Sequence, residues 1–591
     1  MGLHCVNIRK PAKDTEYTYK KNIKMVLRIL SIFGLVFFSI INVLAVDVHP
    51  SKSGERLPVL PNFLPEKKPI GSLLPTLKPR LSGKKKISDG DKFLVKGFTF
   101  TGNTVFNNHE LQELSKTLIN TSIGISDLFA LRDNITQEYI RKGYLNSGVI
   151  LPEQAVSAGI VKFIIVEGRL TGINATTDGR LDPKYVAEPI RRNTGPVLNV
   201  FKIEERLQLL QQDSRIESMD AKLEPGSEQG SATLNIIVKE NLPYDFRAEV
   251  NNHASPNIGA EGIKLTTQHD NITGSGNQII ANFEKTEGFT RFSLNYSQPF
   301  VGTDKSMDVY ASASRSLVVD KNFQALDIED QSQTVRFSLR ESKIQNINRR
   351  FDWYLSAYYQ HGATFLLGEP FSFGDPRDDG EIDLTGLRFG TDWKSRSNNQ
   401  VVVIGLSSGI GILLPDDDDD DDDDDEEAVD PTGPDGKSFT LNANLQWARK
   451  FVFLNSRLFS RFDMQLSNNA LYGAQQFSLG GHASVRGYRE NLIVRDNGVL
   501  GSVEYRVPVM VKSGTRISLA LFTDAGRAWQ TGRKDNGPRV IASVGGGVVG
   551  TVKKHFQFNL YWAKALRDID YLGESNLQDQ GFHFSLSSHW R

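Results

Sequence analysis

From about residue 241 to the C-terminus, apolar side chains recur at every second position in short runs, and turns rich in Gly, Asn and Asp separate the runs. Phe246, Ala248 and Val250 set the pattern, followed by Phe292, Leu294 and Tyr296, then Val309, Ala311 and Ala313. It continues through Trp353-Tyr354, Leu387 and Phe389, Val401 to Ile404, Leu441-Ala443-Leu445, Leu519 and Leu521, and Phe556-Phe558-Leu560. A period of two belongs to a strand whose faces meet different surroundings. About sixteen to seventeen such segments can be counted, within the range of bacterial outer-membrane barrels. One of them, Phe477 to Gly481, reads better as the start of a loop, which leaves about sixteen. None of the runs has the length of a membrane helix. Two architectures remain: a barrel closed within lipid, where no sheet edge can stay unpaired, or a soluble β-sandwich. A hydrophobic fraction of 39% and a negative mean hydropathy exclude a bundle of membrane helices. They suit a barrel, in which only alternate strand residues face lipid.

The N-terminus favours the barrel. Lys10, Lys13, Lys20, Lys21, Lys24 and Arg28 lead into an uncharged run from Ile29 to Val46 that ends in the small-residue context Val43-Leu44-Ala45. This is the layout of a secretory signal sequence, assigned to residues 1–45. A single membrane anchor helix is the competing reading. The only cysteine, Cys5, precedes the cleavage point, so the mature chain is expected to lack disulfides, thiolate ligands and a thiol nucleophile. The chain's net charge of −1 does not point to nucleic acid as a partner. Residues 46–90 carry Pro50, Pro58, Pro61, Pro65, Pro69, Pro75 and Pro79 and read as an extended linker.

Two copies of one pattern follow. In residues 91–170, Phe93 to Phe100 reads as a strand and Asn108 as the cap of a helix carrying Leu111, Leu114 and Leu118. A second helix, Asp127 to Lys142, stops at Gly143, and Val149 to Pro152 and Val161 to Val166 supply strands. Residues 171–240 repeat the order: Gly172-Ile173-Asn174, helices Pro183 to Arg192 and Ile203 to Gln212, strands Ser218 to Leu223 and Ala232 to Val238.

The pair resembles POTRA domains. The segments FTFTGNTVF, YIRKGY at Tyr139–Tyr144, LPEQ at Leu151–Gln154 and VEGRL at Val166–Leu170 are similar to the first POTRA of two-partner secretion transporters, the TpsB or ShlB/FhaC/HecB-like haemolysin activator family. Gly480 to Tyr488 contains Val485-Arg486-Gly487-Tyr488, which resembles the VRGY motif of the sixth extracellular loop in POTRA-bearing barrels. Phe522, Asp524 and Gly526 match its partner motif F-x-D-x-G. The resemblance implies that the loop folds into the lumen and that Arg486 pairs with Asp524 on the inner wall through a charge-assisted bond. It also implies export of an unfolded exoprotein (an adhesin, a haemolysin or a toxin), captured in the periplasm by strand addition. The edge Val149-Ile150-Leu151 and the adjoining helix are the expected capture surface. Outer-membrane lipids and the barrel-assembly machinery are the other expected partners.

The expected fold is thus an all-β transmembrane barrel of about sixteen antiparallel strands at 241–591, behind two α/β POTRA domains at 91–170 and 171–240. Two departures from the family are visible. Residues 46–65 are poor helix formers, which argues against the family's N-terminal plug helix. The last strand, with Phe582, Phe584 and Leu586, ends in Trp590-Arg591 rather than on the aromatic, which would weaken the assembly signal.

The acidic run Asp416 to Glu427 falls in the loop after the ninth strand, outside the cell, and reads as a solvated, self-repelling loop. It lacks the spaced ligands and turning glycine of a calcium loop. No cofactor, metal or catalytic residue is expected: His253, His269 and His482 form no metal-spaced set, and neither a nucleophile elbow nor a phosphate loop occurs. Two other functions stay open: a barrel-assembly factor of the BamA/TamA type, which usually carries three or more POTRA repeats, and a porin-like channel or receptor, which has none.

Overall fold

The structure, a computed structural model, describes Phe63 and residues 92–591 other than 157, 373–379, 415–433, 435, 533, 535–536 and 572–574. The signal sequence, the plug-helix question and the acidic run lie outside the described residues, as does the leader apart from Phe63.

The strand expected over Phe93 to Phe100 is two strands. Lys96 and Gly97 both donate their amides to the Gly159 carbonyl, at 2.7 and 3.4 Å, and the chain changes sheets there. Phe93–Val95 pairs with Thr121–Ile123, while Gly97–Thr101 runs parallel to Ile160–Val166. The first helix is Asn108–Ser115, and its cap is Asn107 rather than Asn108. Asn107 accepts from the Glu110 amide at 2.9 Å and Glu110 accepts from the Asn107 amide at 2.8 Å, a reciprocal capping box. The second helix, Ile125–Arg141, ends before Gly143, whose φ of +92° is the left-handed stop the sequence suggested.

The Val166–Leu170 segment earns its place through Glu167. Its carboxylate accepts the Thr104 and Val105 amides at 2.7 and 2.8 Å, the Thr104 hydroxyl, and the Tyr139 hydroxyl at 2.9 Å. Three of the four sequence segments that marked this module are therefore one hydrogen-bonded cluster. Burial pushes the carboxyl up, but these donors outweigh it and hold Glu167 below its ordinary range. A depressed carboxylate stabilises above its unfolded value and loses that contribution as pH falls through the folded one. Glu167→Gln is expected to cost the module about 1–3 kcal/mol at neutral pH. Protease resistance of the periplasmic segment of the full chain should fall at pH 7, and the difference from the unaltered protein should shrink as the pH is lowered and Glu167 becomes protonated.

The second module contains Arg169–Thr177, the helices Pro183–Thr194 and Val200–Leu210, and the strands Ile216–Pro225 and Ser231–Glu240. In both modules the last strand is central, parallel to the first and antiparallel to the one before it, so the repeat is one of topology. The joint between them is closely bonded. Leu198 and Val200 donate to the Gly168 and Gly143 carbonyls at 2.7 and 2.9 Å, and Leu145 packs into the second core.

The barrel closes with sixteen wall strands, from Tyr244–Asn251 to Phe582–Trp590, plus the two-residue strand Glu369–Pro370 beside the seventh. Phe292, Leu387, Leu406, Leu519, Leu521, Leu560 and Leu586 stand on its outer face, about half or more exposed, as a lipid-facing band requires. Inward positions are mostly small or polar. The ninth wall strand ends at Leu413 and the tenth begins at Lys437, on either side of the acidic run.

The second module is fixed to the barrel's lower rim. The Asp182 amide donates to the Gly274 carbonyl at 2.8 Å, Arg192 reaches Asp304 and the Gly302 carbonyl, and Arg396 reaches Gln212. Arg591, the residue beyond the terminal aromatic, donates to the Ser214 carbonyl at 2.6 Å and lies 3.3 Å from Asp270. The extra residue thus ties the last strand to the module beneath it.

Candidate functional site

Residues 468–496 join the eleventh wall strand, Arg457–Ser467, to the twelfth, Asn497–Lys512, and fold back inside the barrel. The Phe477 segment is a loop, as read, stiffened by a small hairpin in which Phe477–Leu479 pairs with Ile493–Arg495. Phe477, Leu479, Val485, Tyr488 and Ile493 build an apolar cluster against Leu500, Ala528 and Ile541 of the wall. A loop with its own core keeps one conformation, and this one presents Arg486 to the wall.

Phe522, Asp524 and Gly526 occupy successive inward positions of the strand Thr515–Trp529. The F-x-D-x-G spacing is therefore the strand period itself. Each residue does something different. Asp524 receives Arg486 in a two-pronged bond, Nε to Oδ2 at 2.8 Å and Nη2 to Oδ1 at 2.9 Å, and also the Arg486 backbone amide at 3.2 Å. The Phe522 ring lies under the guanidinium, with its centroid 3.4 Å from Cζ. Gly526 leaves room for Leu479, since a Cβ there would come within 2.6 Å of that side chain. On the loop side, Gly487 has a φ of +90° and a Cβ on it would meet Ala563, so the turn that aims Arg486 needs glycine. Tyr488 inserts its hydroxyl between the Ala542 and Arg567 carbonyls at 3.0 and 3.1 Å.

The sequence did not single out the rest of the site. Arg486 Nη1 also bonds Glu504, which bonds Arg506 and accepts from the Tyr561 hydroxyl at 3.1 Å. Ser502 donates to Asp524 at 2.6 Å. Two cations and two carboxylates thus balance in a nearly dry setting, with Arg486 6% and Asp524 1% exposed. Ser502, Glu504 and Arg506 alternate along one strand, a signal present in the sequence but meaningless until that strand's inner face is known. Histidines behave likewise. His253 and His482, which form no metal-spaced set in sequence, lie face to face with centroids 3.4 Å apart, and His583 accepts the Gly487 amide at 3.1 Å. His482 also bonds Glu490 at 2.7 Å. Among the described residues no group of His, Cys, Asp and Glu is arranged to hold a metal.

The far arm of the loop reaches the seam where the first and last strands meet, a register of six residue pairs from Ser585↔Asn251 to Trp590↔Phe246. Arg489 is paired with Asp579 at 2.5 Å, and the Glu490 amide donates to Gln578 at 2.9 Å. Gln578 donates to the Asn252 and Ala254 carbonyls, each at 2.8 Å. The Asn252 side chain completes the bridge, donating to the Phe582 carbonyl at 2.9 Å and accepting the Phe584 amide at 2.8 Å. Asn252→Ala and Gln578→Ala are each expected to remove about 1–3 kcal/mol from the closed form. Both should lower the temperature at which the folded band disappears in heat-modifiable electrophoresis, and the double variant should fall less than the sum.

Of the expected capture residues, Val149 and Ile150 lie in the edge strand Gly148–Ile150, and Leu151 lies just past it. Val149 is buried and its amide donates to the Thr136 hydroxyl at 3.2 Å; Ile150 is half-buried. The structure does not bring these residues near the Arg486 site; they belong to the first module's sheet.

The family model described as haemolysin secretion/activation protein ShlB/FhaC/HecB matches residues 230–551, and that of the POTRA domain, ShlB-type, matches residues 93–168. The outer membrane transporter CdiB of Dickeya dadantii (strain 3937) is 23% identical over 476 residues, covering 78% of this chain and 80% of that one. The heme/hemopexin transporter protein HuxB of Haemophilus influenzae is 22% identical, covering 71% and 72%. The solved structure of CdiB from Escherichia coli superposes with a TM-score of 0.66 at 18% identity, over 87% of this chain and 93% of that one.

Proposed function

The chain belongs to the haemolysin secretion/activation family ShlB/FhaC/HecB, and from that premise we propose that it captures an unfolded exoprotein in the periplasm and passes it outward through its barrel. It is an outer-membrane transporter with its α/β modules in the periplasm. The observation that carries the reading is the pairing of Arg486 with Asp524 inside a closed barrel that is bonded to the second of two such modules in tandem. A passive pore needs neither a lumen loop with its own core nor a module bonded to three rim turns.

The client we propose is a large adhesin, haemolysin or toxin. Capture is by strand addition at the first module, along Val149-Ile150-Leu151 with helix Ile125–Arg141 beside it. Ile150 would supply a side chain, whereas Val149 and Leu151 serve the module's core and offer the client backbone only. Arg486 holds the loop; Glu504, Arg506 and Tyr561 hold Arg486. Lipid surrounds the exposed band, and the terminal strand is what the barrel-assembly machinery would read. We assign the chain no catalytic role, since the family it belongs to is described by secretion and the relatives it resembles are described as transporters.

The test is co-expression with a large candidate exoprotein that carries an N-terminal secretion domain. Export is expected to require both chains, with the exoprotein left in the periplasm when the transporter is absent. Depleting the chain should leave other outer-membrane barrels at normal levels; their loss would favour the assembly-factor reading instead.

A further inference from the structure

Phe63, from the proline-rich leader, packs against the buried cluster of Val401, Val403 and Ala448, as does Phe459. Val401 and Val403 are inward positions at the lower end of the ninth wall strand, and their lipid-facing counterpart Leu406 is half exposed. Two cations border the ring: Lys450 Nζ lies 4.4 Å and Arg457 Cζ 5.6 Å from its centroid. Apolar walls with cations at the ring face recognise an aromatic side chain and read nothing of the backbone that carries it.

This patch is confined to the periplasmic mouth. Further up the same strands the inward positions become Ser407, Gln446 and Arg461. It also stands where a chain leaving the second module would arrive, since Arg396, five residues before Val401, is bonded to Gln212 of that module. Phe459 has a second neighbour, the Arg506 guanidinium, 4.6 Å from its ring, and it lines the cavity under the Arg486 loop. The patch is therefore continuous with the path toward the loop.

We propose that Val401, Val403, Ala448 and Phe459 form an aromatic-binding socket at the channel entrance, filled at rest by Phe63 and taken over by aromatic side chains of the polypeptide in transit. The socket gives the passing chain a foothold at the mouth, and Phe63 keeps it from standing empty. The identity of the second occupant rests on the export reading; the socket itself does not.

The experiment is single-channel recording on the full-length protein in planar bilayers. The probe is a ten-residue Gly/Ser peptide with one central Phe, or Ala in its place, added on the module side. In Phe63→Ala the Phe peptide blocks current at roughly tenfold lower concentration than in the unaltered chain, the scale of burying one ring. The Ala peptide blocks neither. Val403→Asp, added to Phe63→Ala, removes the block; Val403→Thr, nearly isosteric, weakens it and carries the test if the Asp variant does not close. Equal block by both peptides, or no gain on removing Phe63, overturns the proposal. The recording involves no client, so its failure leaves the export reading standing, and a failed export assay leaves the socket standing.

Discussion

Arg486→Ala is expected to abolish most export while the barrel still inserts and closes. The substitution removes the one group that Asp524 and Glu504 share. Leaving a buried charge without its partner typically costs about 3–5 kcal/mol, and the lumen can return part of that by hydrating the carboxylates. The wall survives because its sixteen strands hold one another through backbone ladders that do not pass through the loop. The loop loses more. A positional preference weakened by about 1–3 kcal/mol shifts the docked population roughly 5- to 150-fold. Export should fall by at least the lower figure, and channel recordings should show new transitions between conductance levels. Asp524→Ala should behave alike, and the double variant should be little worse, because the two residues act as one unit. Arg486→Lys should rescue poorly, since an ammonium cannot grip Asp524 with two prongs, reach Glu504 and lie flat on Phe522 at once. Strictly additive defects, or normal export by Arg486→Ala, would show that the pair does not hold the loop.

Removing residues 91–168 is expected to stop export altogether with the barrel intact. The deletion spares the strand Arg169–Thr177, which the second module needs as a sheet edge. It takes away Leu145 and the carbonyls that receive Leu198 and Val200, a local loss for a core that keeps its own buried residues. The rim contacts of Asp182, Arg192 and Gln212 all belong to the second module and remain. Secreted client at the unaltered level, with a normal heat-modifiable barrel band, would refute a capture role for the first module.

The barrel and the two-module order were legible because both are written in local patterns. Alternation reports a two-faced strand, and the repeat of helix and strand signals reports a repeated topology. Phe93 to Phe100 misled because an apolar run cannot show where a chain changes sheets; that depended on the Gly159 carbonyl, about sixty residues on. Asn107 and Asn108 are chemically equivalent candidates, and Glu110 chose between them. Arg486 and Asp524 could be paired through a family resemblance, but Glu504, Tyr561 and the three histidines could not. Their partners lie far along the chain, and only barrel closure brings residue 253 to residue 482. Arg591 stands out in the sequence only as a residue beyond the terminal aromatic; its contacts with Ser214 and Asp270 join residues more than three hundred positions apart and could not be read there.

The loop's attachments carry an implication for the order of assembly. Ser502, Glu504, Asp524, Tyr561, Gln578, Asp579 and His583 are all synthesised after the loop, and the remaining seam contact, Asn252, comes from the opposite end of the barrel sequence. Contacts of such sequence separation form late, since each must first overcome the entropy of closing a long stretch of chain. The loop's set of bonds is therefore complete only after the C-terminal third has paired and the first strand has met the last. An incompletely zipped barrel carries the loop held by part of that set, chiefly its bonds to Tyr358, Arg461 and Gln465, and the conducting path acquires its finished internal fitting only in a molecule whose wall is already whole.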